Sequence, residues 1–109
     1  MSATTDRKTD YTNDAQQRLL QLIDLLAGNE LSGLEPGAIA KGLGCTASTV
    51  TRDLANLHQA GWAEQTPKGK GWRLAPHAIE ISLRYAAALR AGHQNLNDLE
   101  RRYGAGDTV

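Results

Sequence analysis

The sequence predicts a mainly α-helical fold with one small β-hairpin, on three observations. Apolar residues recur at helical spacing in five stretches between residues 13 and 103. The run Trp62 to Thr66 alternates with period two, is followed by PKGKG, and returns as Trp72-Arg73-Leu74, which reads as two short strands around a turn. Phe is absent and aromatic residues are only 5% of the chain, so Leu, Ile, Val and Ala must fill the interior, as suits small helices packed closely.

The first helix is expected from about residue 13 to 27, with Thr12 or Asn13 as cap and Ala15, Leu19, Leu22, Ile23 and Leu26 on one face, ending at Gly28-Asn29. Glu35-Pro36-Gly37 opens a second, short helix, because proline fits the first turn, where its missing N–H has no intrahelical partner to lose. Ile39, Ala40 and Leu43 form its buried face. Gly44 is the natural left-handed residue for a sharp turn, after which Thr46 caps a third helix, 46–60, with Ala47, Val50, Leu54 and Leu57 inward and Gly61 as its stop. The hairpin, 62–74, follows. Beyond Pro76 a helix from about 77 to 91 carries Ile79, Leu83, Ala86 and Leu89, widened by Ile81 and Tyr85; Gly92 is expected to end it before a last short helix near 95–103.

At 109 residues the chain has room for one domain with a modest core. Expected divisions are a flexible arm over 1–12, whose few apolar residues cannot offset the entropy of ordering it, a folded domain over 13–76, C-terminal helices over 77–103 and a flexible tail over 104–109. Twelve basic and twelve acidic residues cancel, so bulk charge gives no support to a nucleic-acid partner and any basic surface must be local. Cys45 is the single cysteine and has no internal partner; no leader or long apolar span appears, so a cytoplasmic location without membrane contact is expected.

Helix, helix, glycine turn, helix, hairpin is the order of a winged helix-turn-helix, in which the third helix enters the major groove of double-stranded DNA and the hairpin reaches the backbone beside it. With the apolar positions inward, Ser48, Thr49, Arg52 and Asn56 turn outward together. Short hydroxyls there, including Thr46 and Thr51, allow close approach to phosphate, and Arg52 can grip guanine or phosphate with two parallel bonds. The same hydroxyls could simply cap the helix, and Arg52 could pair with Asp53. Lys68, Lys70 and Arg73 on the hairpin favour the first reading. Between Glu35 and Pro76, Lys41, Arg52, Lys68, Lys70 and Arg73 are set against Glu35, Asp53 and Glu64, a weakly basic middle inside a neutral chain.

The stretch LEPGAIAKGLGCTASTVTRDLANLHQAGWAEQTPKGKGWRLAPHAIEI resembles the N-terminal DNA-binding domain of IclR-type bacterial transcription regulators, with its "xxIAxxxGL" helix, "STVxRxLxxLxxxG" recognition helix and "YRL" wing strand. Ile39-Ala40, Gly44, Ser48-Thr49-Val50, Arg52, Leu54, Leu57, Gly61 and Trp72-Arg73-Leu74 stand at the matching places. The resemblance implies operator binding as a dimer, with Ser48, Thr49 and Arg52 carrying contacts. The larger effector-sensing domain of that family has no counterpart in these residues, so a small-molecule effector is not expected.

His58, His77, His93 and Cys45 lie at no zinc-ligand spacing, and no nucleophile elbow or phosphate loop occurs, so neither enzyme activity nor a metal or cofactor is expected. The chain beyond His77 carries more apolar surface than one helix needs against so small a core. Ile81, Tyr85, Leu96, Leu99 and Tyr103 are the candidates for a homodimer interface, packing within the chain being the alternative. The expected function is a transcriptional regulator acting as a repressor; the competing class is a winged-helix module that binds protein instead of DNA.

Overall fold

The computed structural model describes residues 9–104; the expected arm falls mostly, and the tail almost wholly, outside them. Among the described residues four helices and a two-stranded sheet follow in order: α1 (Asp14–Leu26), α2 (Pro36–Leu43), α3 (Ala47–Gln59), β1 (Ala63–Gln65), β2 (Trp72–Leu74) and α4 (Pro76–Tyr103). This is the winged helix-turn-helix that the order of elements predicts.

Each early boundary has a local cause. Asn13 caps α1, its side-chain oxygen accepting from the N–H of Gln16 at 2.9 Å. Pro36 occupies the first turn of α2, and Gly44, at φ 70° and ψ 35°, ends that helix in the left-handed conformation. Two residues later Thr46 accepts from the N–H of Thr49 at 3.2 Å and starts α3. Leu22 and Leu26 of α1, Ile39 and Ala40 of α2, Val50, Leu54 and Leu57 of α3 and Ala63 of β1 form one buried cluster. Ala15 and Ala47, expected inward, are exposed, because burial along α1 begins only near Arg18 and Leu19 and along α3 only at Thr49 and Val50.

The strands pair antiparallel in the register Ala63–Leu74, Glu64–Arg73 and Gln65–Trp72. A third rung was not expected: Leu34 exchanges two backbone hydrogen bonds with Trp72, at 2.9 and 2.8 Å, and so ties the α1–α2 connection to the wing. The backbones come close enough there that a Cβ on Gly71 would lie 2.8 Å from the Ser32 carbonyl oxygen.

The C-terminal region differs from expectation. A single helix of 28 residues replaces the two short ones, and Gly92 sits inside it. A lone glycine costs only about 1 kcal/mol against alanine, and the flanking Ala, Leu, Arg and Gln residues, with no proline, carry the helix through it. No residue of α4 is buried.

Candidate nucleic-acid interface

Val50, Asp53, Leu54 and Leu57 turn α3 onto the core. At 3.6 residues per turn the opposite face is Ser48, Arg52, Ala55 and Gln59, with Thr51 and Asn56 on its flanks, all exposed. Several hydroxyls in this region already have partners within the helix. Thr46 Oγ1 donates to Thr49 Oγ1 at 3.0 Å, and Thr51 Oγ1 donates to the Ala47 carbonyl at 3.0 Å. Thr49 is half-buried and stands off the outward face on which it was expected. Asn56 Nδ2 donates to the Arg52 carbonyl at 2.9 Å, leaving its side-chain oxygen and second N–H outward.

Asp53 does not pair with its neighbour. Arg18 of α1 donates to it through Nε at 2.6 Å and Nη2 at 3.0 Å, a two-bond clamp between carboxylate and guanidinium. That bond raises the pKa of Arg18 further above its ordinary value, against the opposing cost of desolvation. Arg52 forms no ion pair among the described residues, and its guanidinium is left to the solvent.

The wing supplies fewer free cations than expected. Lys68 and Lys70 project from its tip, where the N–H of Thr66 bonds the Gly71 carbonyl at 2.8 Å. Arg73 does not join them: its Nε donates to Glu64 at 2.9 Å across the two strands, so its charge is matched on the sheet face away from Trp72 and Leu74. His58 also turns from the outward face. Its Nδ1 lies 3.2 Å from the Ala63 carbonyl and its ring meets Trp72 edge to face at 6.0 Å, fixing the end of α3 to the hairpin.

Gln59 escaped the sequence reading. It stands seven residues after Arg52, on the same face, and extending that spacing by two turns reaches it. Ile81, Tyr85, Leu96, Leu99 and Tyr103 of α4 share one face of that helix and are all exposed, Ile81 least at 37% and Tyr103 most at 70%. Packing within the chain, the alternative to pairing, therefore does not cover them among the described residues. Among the described residues there is no cluster of metal-ligating side chains, and no helix is long and apolar enough to cross a membrane.

Residues 16–67 match the IclR helix-turn-helix domain family. The fold is similar to that of an IclR transcriptional regulator from Alicyclobacillus acidocaldarius (22% identity, TM-score 0.62, covering 70% of this chain and 30% of that one). It is also similar to an IclR family transcriptional regulator from Brucella abortus (20%, 0.61, 74% and 31%) and to HmgR of Pseudomonas aeruginosa (24%, 0.59, 82% and 37%). The chain thus spans about a third of the length of these proteins. No curated protein matches the sequence.

Proposed function

We propose, from the match of residues 16–67 to the IclR helix-turn-helix domain family, that this chain is a regulator of transcription that binds double-stranded DNA in a sequence-specific way as a homodimer in the cytoplasm. The observation that carries the reading is the face of α3 opposite the core, where Ser48, Arg52 and Gln59 are exposed and Arg52 has no acidic partner among the described residues. An unopposed guanidinium two turns from an amide side chain fits a base edge in the major groove, where Arg reads guanine and Gln reads adenine. Thr46, Thr49 and Thr51 shape the helix end more than they read it, and Ser48 is left to approach phosphate.

Lys68 and Lys70 fit the backbone beside the groove, while Arg73 holds the hairpin through Glu64. Repression by occupying an operator needs no more than this. Few phosphates are contacted per copy, so affinity comes from two copies on an inverted repeat. Selecting bound fragments from random duplexes, then titrating the recovered site against salt, tests the reading. Enrichment of a two-fold site, with a log–log salt slope of about 2 per copy, is expected. Recovery of no preferred sequence would sink it.

A further inference from the structure

The stripe on α4 has a symmetry of its own. Ile81, Tyr85, Gly92, Leu96, Leu99 and Tyr103 line one side of the helix, and their positions are almost mirrored about Gly92: Ile81 and Tyr103 lie eleven residues to either side, Tyr85 and Leu99 seven. Gly92 is the odd member. Glycine is disfavoured inside a helix, and nothing among the described residues requires it there, since beyond its own stretch of helix backbone no atom lies within 4 Å of the place its Cβ would take. A helix interior keeps such a residue where a second backbone comes close.

We propose that two copies of the chain pair through α4 in antiparallel orientation, crossing at Gly92. The inference deepens the dimer reading above and rests on it. A two-fold axis through that point sets Ile81 against Tyr103 of the other copy and Tyr85 against Leu99, so large side chains meet on both sides of a narrow crossing. Two copies together withdraw on the order of 1,000 Å² of apolar surface from water, the scale at which contacts between proteins become specific.

The apolar stripe, not charge, favours the antiparallel direction. Arg84 and Arg102 flank one side of the stripe, with Glu80 and Asp98 just outside them on that side. In an antiparallel pair equal flanks face each other. Arg84 then lies within one helical turn of both Asp98 and Arg102 of the other copy, and Arg102 as near to Arg84 of that copy as to Glu80, so the charges on this flank favour neither direction. The opposite flank sets Ser82 against Glu100 and Leu89 against His93, with no like charges opposed. A parallel pair in register stacks Tyr85 and Tyr103 each on its own copy, whereas the antiparallel one sets each tyrosine against an aliphatic side chain.

Disulfide trapping of the whole chain in a Cys45→Ser background tests this, with circular dichroism confirming that each variant is folded. Gly92→Cys is expected to cross-link to itself under mild oxidation. Ile81→Cys alone is expected to stay uncross-linked but to join Tyr103→Cys when the two are mixed. By sedimentation, the unaltered chain is expected to be a dimer at tens of micromolar and Leu96→Glu a monomer. An Ile81–Ile81 cross-link formed by Ile81→Cys overturns the antiparallel register while leaving the dimer intact. A monomeric unaltered chain overturns both, and duplex binding measured on the same samples reports separately on the DNA reading.

Discussion

Arg18 and Asp53, thirty-five residues apart, are joined by two hydrogen bonds of 2.6 and 3.0 Å that fasten α1 to the middle of α3. Asp53 is 7% exposed and lies on the buried face of α3. The pair therefore sets the rotation of α3 about its axis, and it removes the one carboxylate that could have neutralised Arg52 next to it. Replacing Asp53 with Ala is expected to lower the thermal midpoint by roughly 4–8 °C or more, because Arg18 loses its partner and the core side of α3 loses its anchor. Differential scanning calorimetry reads this directly; an unchanged midpoint would show that the clamp contributes nothing to the fold.

Arg52 and Lys70 are expected to fail differently. Arg52→Ala should cost about 1–3 kcal/mol on the selected site and flatten preference at the base it reads. Lys70→Ala should weaken every duplex alike and lower the salt slope by about one. Anisotropy titrations of matched and scrambled duplexes separate the two patterns, and identical behaviour of both variants would refute the division of roles.

Arg73→Ala is expected to act on the hairpin more than on DNA, since its guanidinium is held by Glu64. Both partners are partly exposed, so the loss is small, about 0.2–1 kcal/mol in chemical denaturation, with the salt slope of DNA binding unchanged. A fall in that slope comparable to that of Lys70→Ala would return Arg73 to the set of phosphate contacts.

Gly71→Ala places a methyl group 2.8 Å from the Ser32 carbonyl oxygen and 3.2 Å from Gly33 Cα, both backbone atoms. A loss of about 1–3 kcal/mol is expected, together with faster hydrogen exchange at the amides of Leu34 and Trp72. Gly37→Ala, with open space at its Cβ position and no positive φ, is the control and should not destabilise. Equal protection of the two amides in the Gly71 variant and the native chain would count against the close approach.

Much of this was legible in the residues because it is local. Pro36, Gly44 and Thr46 act within one turn of where they stand, so the second helix, the turn and the start of α3 follow from spacing and capping. The burial of Asp53 and the Leu34–Trp72 rung were not legible, since each joins parts of the chain more than thirty residues apart, and no local pattern marks which acid meets which base. Arg73 and Glu64 could have been paired from the hairpin register, had the strands been aligned first. The break placed at Gly92 treated an interior glycine as a stop, although the neighbouring residues favour continuation.

Only Ala75 stands between the last hairpin strand and α4, and its N–H bonds the Trp62 carbonyl at 2.9 Å while the Trp62 ring meets His77 edge to face at 5.4 Å. The long helix is thus rooted in the wing like a mast in its step. Its length is about 42 Å, so a tilt of roughly 5° at the root sweeps the far tip through about 4 Å. Any displacement imposed on the hairpin is magnified at Tyr103, and whatever grips that far end acts back on the wing with the same leverage.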